Sequence, residues 1–180
     1  MAEELLDNYR AASEWTVAKV AGAEGHLDAQ TPCDDWNVET LLNHMLETQQ
    51  YFVRSARGDE DASPPSSDPP DDLTSGDPAA AYERGRDETI QAFSQDGVIE
   101  RTGPSLGIAF SDTLLHGWDV AKATGQDTTM PDGLAAAAYE IMHGAFTDDQ
   151  RQGVFDPEIE VDDDASAQAR LLAFAGRQPG

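Results

Sequence analysis

The stretch from Ser105 to Thr124, SLGIAFSDTLLHGWDVAKAT, decides the fold. Leu106, Ala109, Phe110, Thr113, Leu114, Gly117, Val120 and Ala121 recur at spacings of three and four, which predicts a helix with a wide inward face. Ser105 is expected to cap its start and Gly125 to stop it. A face that wide must be covered by other helices, so the neighbouring segments decide the architecture.

Working outward, residues 3–21 place Leu6, Tyr9, Val17 and Val20, with Ser13 between, on one helical stripe that ends at Gly22 and Gly25. The turn Thr31-Pro32-Cys33-Asp34-Asp35-Trp36-Asn37 offers side-chain oxygens to the free N–H groups of a second helix, which runs to about Arg57. Its apolar face is Val38, Leu41, Leu42, Met45, Tyr51 and Phe52, and His44 lies beside that stripe. Residues 58–78 hold Pro64, Pro65, Pro69, Pro70 and Pro78 among Ser, Asp and Gly, so a flexible loop is expected, either a lid or a crossover. A third helix is expected over 79–95, weakened at Gly85 by about 1 kcal/mol relative to alanine. Gly97–Pro104 reads as a turn or short extended piece. Beyond the helix at 105–124, a short Ala-rich helix is expected over 134–143, an extended stretch over 154–161, an N-cap in Asp162-Asp163-Asp164, and a last helix over 165–175. No segment alternates convincingly, so the expected class is all-α: a helical bundle in one domain over 1–180, with residues 145–180 packing on it as a C-terminal extension.

The chain has 180 residues, long enough for one real core. With 35 acidic residues against 11 Lys and Arg, the net charge is −24, a field that repels nucleic acid and anionic membranes alike. No apolar run approaches the roughly 20 residues that span a bilayer. Cys33 is the one cysteine, so neither an internal disulfide nor a thiolate-rich metal site is available, and an acidic N-terminus without an apolar core argues for the cytoplasm.

The chemistry-bearing pair is Asp112 and His116, four residues apart and therefore stacked one turn apart on a helix, with Cβ atoms about 5–6 Å from each other. Such a pair suits a borderline divalent ion, Zn²⁺ first, with Ni²⁺ or Fe²⁺ as alternatives. His44 from the second helix supplies a third ligand if the two helices pack side by side. The same spacing also arises as a plain surface hydrogen bond, and a histidine beside an apolar stripe also serves as a core or rim residue. Asp119, three residues past His116, either accepts that ring's second N–H or faces solvent. His26 and His143 read as structural, Cys33 as a small half-buried thiol, and Arg54, Arg57, Arg84 and Arg86 receive no role. No phosphate-loop, dinucleotide or nucleophile-elbow motif occurs.

Three stretches together, Thr31–Val38 leading into Leu41-Leu42-Asn43-His44, Asp112–Gly125, and Arg170–Arg177, resemble the DinB-like metal-binding bundles, in the branch related to the N-terminal domain of mycothiol-dependent maleylpyruvate isomerase. The resemblance implies a four-helix bundle holding one divalent metal on His44, Asp112 and His116. That isomerase looks to have Glu, and other members His, where this chain has Asp112, so a shorter side chain must reach the ion or act through a water. The resemblance also implies a low-molecular-weight thiol such as mycothiol, activated by the metal for S-transfer or cis-trans isomerisation of a small electrophile. No counterpart of that isomerase's separate C-terminal domain is expected. The alternative is a non-catalytic helical module that binds a small ligand around a structural or vestigial metal. Expected partners are the thiol and the electrophile, with a homodimer as the permitted assembly and neither nucleic acid nor membrane. Everything here requires the His44 ring to come within about 8 Å of the Asp112–His116 pair.

Overall fold

A computed structural model describes residues 2–33, 36–146 and 155–179. Asp34, Asp35 and Val154, which figure in the turn and the extended stretch expected above, lie outside them. The described residues form helices α1 (Ala2–Ala21), α2 (Val38–Arg57), α3 (Pro78–Phe93), α4 (Val98–Thr102), α5 (Ser105–Ala123), α6 (Leu134–Ala145) and α7 (Ala167–Phe174). They contain no strand, and the class is all-α as expected. No helix among them is long and apolar enough to cross a membrane.

Local chemistry sets the ends. Asn37 Oδ1 accepts from the Thr40 N–H at 2.9 Å and starts α2, while Asp77 Oδ1 accepts from the Ala80 N–H at 3.0 Å, with Pro78 in the first helical position of α3. Three starts differ from expectation. Residues 98–102 form a short helix rather than a plain turn or extended piece, because Val98 is buried in the core and anchors it. Pro104, not Ser105, holds the capping position of α5, since the Ser105 hydroxyl donates backwards to the Thr102 carbonyl at 2.9 Å. The final helix is capped by Ser166, whose Oγ accepts from Ala169 N–H at 3.1 Å. Asp162 instead accepts through its carbonyl from Ala165 in the preceding turn, too early to reach the free N–H groups of α7.

Four long helices pack side by side. α1 lies against α5 and α3, and α2 lies against α3 and α5, so α5 is flanked by α1 and α2. α6 covers a further side of α5, and α7 packs on α6. One apolar cluster gathers Tyr9, Phe93, Phe110, Leu114, Trp118, Leu171 and Leu172; a second gathers Val20, Val38, Leu41, Leu42, Met45 and Val120. Fully burying each such side chain contributes about 1.5–3 kcal/mol. Residues 59–77 run along α2, tied by Ser66 N–H donating to Glu47 Oε2 (2.9 Å) and Leu73 N–H donating to Asn43 Oδ1 (2.8 Å). Both anchors stand within three residues of His44.

The approach of α1 to α5 is set at Gly117. A Cβ there would collide with Thr16 Oγ1 and meet Trp15 Cζ3 at 2.8 Å, while the Thr16 hydroxyl donates to the Thr113 carbonyl at 3.1 Å and closes the contact. Gly85 has the same kind of reason: Gln49 lies where its Cβ would be and donates to the Tyr82 carbonyl at 3.3 Å. Its helix-propensity cost is the consequence of a helix crossing. Gly117→Ala is therefore expected to destabilise the protein by about 1–3 kcal/mol through overpacking. Gly144→Ala in α6, where a Cβ meets nothing within 4 Å, is expected to be neutral or to stabilise by up to about 1 kcal/mol. Urea unfolding of the two variants measures the contrast, and equal midpoints would contradict it.

Candidate metal centre

α2 and α5 bring His44, Asp112 and His116 together. One ligand-type atom from each lies within 4.8 Å of the others. The His116 Nε2 to Asp112 Oδ1 distance is 3.4 Å, and the rings of His44 and His116 meet edge to face with centroids 5.1 Å apart. The proximity required by the sequence reading is met. His44 Nδ1 is buried with no hydrogen-bond partner among the described residues, and Trp36 packs over the ring at a centroid distance of 4.7 Å. Two imidazoles, one of them with a buried ring nitrogen lacking a partner, and one carboxylate fit a borderline divalent ion.

Behind His116 stands a carboxylate with no solvent exposure. Asp119 is 0% exposed, which decides between the two sequence readings of it. His116 Nδ1 lies 3.0 Å from Asp119 Oδ2. Arg177 clamps the same carboxylate with both arms of its guanidinium, Nε donating to Oδ1 at 2.8 Å and Nη2 to Oδ2 at 2.6 Å. The half-buried Cys33 completes the group: its thiol donates to Asp119 Oδ2 at 3.4 Å and its sulfur accepts from Arg177 Nη2 at 3.5 Å. Cys33, His116 and Asp119 also lie within 4.8 Å of one another. That second cluster already holds a cation, the guanidinium, so the open face of the centre is the one bounded by His44 and Asp112.

The remaining candidates lie elsewhere. His26 is exposed in the turn after α1, and His143 packs on Tyr139 and Phe174. Arg54 pairs with Asp59 at 2.7 Å. On its inner side Asp112 borders a cavity of about 10 Å³, lined also by Tyr9, Thr48, Gln49, Tyr82 and Thr113. Arg177 and Trp36 stand in stretches that carry the family resemblance, but sequence reasoning gave neither a place beside these side chains, and nothing in the sequence links Arg177 to Asp119.

Burial pushes His44 down to about 4, helped by the neighbouring His116 and opposed by Asp112. Burial works the same way on His116, but the carboxylates of Asp112 and Asp119 outweigh it and hold this ring well above the ordinary histidine value. Asp119 is pushed up by burial and more than pulled back by Arg177 and His116, so it stays a carboxylate. Without a metal, these surroundings favour the neutral form of His44 and the protonated form of His116.

The family model for the mycothiol maleylpyruvate isomerase N-terminal domain matches residues 9–121, more than half of the chain. That span includes Cys33, His44, Asp112, His116 and Asp119 and stops short of Arg177. Two uncharacterized proteins of Mycobacterium tuberculosis, from strains CDC 1551 / Oshkosh and ATCC 25618 / H37Rv, are each 25% identical over 189 residues, covering 97% of this chain and 98% of the relative. No solved structure matches significantly.

The two histidines bias stability in opposite directions. His44 binds its proton more weakly folded than unfolded, so its contribution is complete above about pH 6.5 and is lost as pH falls toward 4. His116 binds its proton more tightly folded, so its contribution is present at low pH and is lost as pH rises through its raised pKa. In metal-free protein, wild type is expected to lose about 2–3 kcal/mol more than His44→Gln between pH 7 and pH 4.5. Urea midpoints at the two pH values measure this; parallel losses would mean that His44 is not held neutral by burial.

Proposed function

The chain belongs to the mycothiol maleylpyruvate isomerase N-terminal domain family, and from that premise we propose that it is a divalent-metal protein that adds a low-molecular-weight thiol through its sulfur to a small electrophile, for S-transfer or cis-trans isomerisation. The observation that carries the reading is the convergence of His44, Asp112 and His116 from two helices within 4.8 Å. His44, Asp112 and His116 would hold the ion, Zn²⁺ before Ni²⁺ or Fe²⁺ given two imidazoles and a carboxylate. A bound divalent ion supplies Lewis acidity that lowers a thiol's pKa, making its sulfur a nucleophile at neutral pH.

This chain's own residues do the rest. Asp119 takes the His116 Nδ1–H, so Nε2 on the Asp112 side is the nitrogen that would exchange its proton for an ion. His44 stays neutral and needs to lose no proton to act as a ligand. Trp36 packs against the His44 ring at a tilt of 43° and helps to fix its position. Residues 59–77, anchored at Asn43 and Glu47, bound the same end of α2.

A second reading keeps the metal as a structural element and drops both catalysis and the small-ligand binding of the alternative above; the one observation that favours it is that the cavity bordering Asp112 holds only about 10 Å³, against the roughly 300 Å³ at the small end of ligand sites. The two readings part in the same experiment. Gently purified protein is expected to carry about one divalent ion per chain by elemental analysis, and His116→Ala and Asp112→Ala to lose it. The first reading then expects thiol-dependent turnover of a test electrophile that disappears with the metal. The second expects the metal to raise the melting temperature with no such turnover. Wild-type protein free of stoichiometric metal would end both.

A further inference from the structure

We propose that Arg177, on the turn that follows α7, is a positioning residue of this centre: its two-armed grip on Asp119 keeps the proton of His116 on Nδ1 and so presents Nε2 toward Asp112 and His44. The inference rests on the metal reading above and reaches beyond it to a residue outside the matched span 9–121.

The backbone delivers Arg177 to this place. α7 ends in a left-handed turn at Gly176, φ 73°, where the Gly176 N–H donates to the Ala173 carbonyl at 3.0 Å and the Arg177 N–H to the Leu172 carbonyl at 2.8 Å. A Cβ at Gly176 would collide with Asp156, so the turn is closed on its outer side as well. The chain thereby swings from α7 back onto α5, and the Arg177 side chain crosses to Asp119, 58 positions earlier. A third donor, Nη1, binds the Ala175 carbonyl at 3.0 Å, so the guanidinium is held at its own end too.

The geometry leaves Asp119 no freedom. Oδ1 is taken by Nε, and Oδ2 is shared by Nη2, the Cys33 thiol and His116 Nδ1. A carboxylate fixed at both oxygens is an acceptor in one orientation, and the imidazole facing it can satisfy it only by donating from Nδ1. A carboxylate held by one arm could rotate, and the ring's orientation would relax with it. Lysine cannot reproduce the fork, because an ammonium is a point donor.

Two measurements test this, one of them independent of metal. In metal-free, ¹⁵N-histidine-labelled protein, the His116 Nδ1–H is expected as a protected downfield proton resonance in wild type and lost in Arg177→Gln. Zinc affinity, measured by competition with a chromophoric chelator, is expected to fall about 10–100-fold in Arg177→Gln and by a smaller factor in Arg177→Lys. Arg177→Lys keeps the charge opposite the buried Asp119, so it remains informative if Arg177→Gln fails to fold. A wild-type ring with no protected proton on Nδ1, or an Arg177→Lys variant with wild-type zinc affinity and an unchanged resonance, would overturn the proposal. Wild-type protein that shows the resonance but binds no zinc would instead overturn the metal reading and leave the Arg177–Asp119–His116 linkage standing.

Discussion

A fully buried carboxylate is the constraint around which this structure is arranged. Stripped of water, the Asp119 side chain must be met by donors and by positive charge, or it costs several kcal/mol. It is met by two arms of Arg177 and one ring nitrogen of His116, with Cys33 alongside. Each partner comes from a different part of the chain: α5 itself, the turn before α2, and the end of the C-terminal helix. Satisfying one side chain therefore ties the last residues of the protein to the helix that carries the candidate ligands. α7 reaches that position through α6, which packs on α5.

The helices were legible because their signals are local. The spacing of Leu106, Phe110, Leu114 and Val120 specifies one face of α5 whatever its surroundings, and Asn37 and Gly58 bound α2 by their own hydrogen bonds. The short helix at 98–102 was not legible, because it depends on burial of Val98 against distant helices. The starts of α5 and α7 were misplaced for a similar reason. Several residues near each start can cap, and the preceding backbone chooses among them: α4 draws off the Ser105 hydroxyl, and the turn at Asp162 leaves Ser166 at the free N–H groups.

The candidate centre divides along the same line. Asp112, His116 and Asp119 stand at helical spacing on one element, so their adjacency follows from 3.6 residues per turn. His44 required the added supposition that α2 and α5 are neighbours, and their packing supplies it. Arg177 closes one of the three stretches that carry the family resemblance, but no periodicity gives its partner, and its contact exists only once α7 has folded back. The resemblance drawn from three stretches reached the family without reaching this contact, since a shared sequence pattern gives residue types and not their partners. Asp112 also puts a limit on the shorter-ligand concern: its Oδ1 stands 3.4 Å from His116 Nε2, so loss of one methylene relative to Glu does not draw the carboxylate out of reach of its helical partner.

Charge balance explains how one small volume tolerates so many ionisable groups. Asp112 and Asp119 bring two negative charges; the Arg177 guanidinium and a protonated His116 bring two positive ones, and the neutral His44 adds none. The metal-free centre is thus electrically neutral inside a chain of net charge −24. A divalent ion exchanged for the His116 proton raises the local charge by one unit, which the acidic surroundings favour and which salt would weaken. The proton that must leave is the one on the Asp112 side of the ring, because the other is fixed by Asp119. Metal affinity should therefore climb with pH through the raised pKa of His116, and the lowered pKa of His44 should have no part in it above about pH 5, where that ring is already neutral. Calorimetric titrations of zinc in buffers of different ionisation enthalpy would count the protons released: about one per ion at neutral pH fits this exchange, and none would mean that the ring nitrogen facing Asp112 is already free in the metal-free protein.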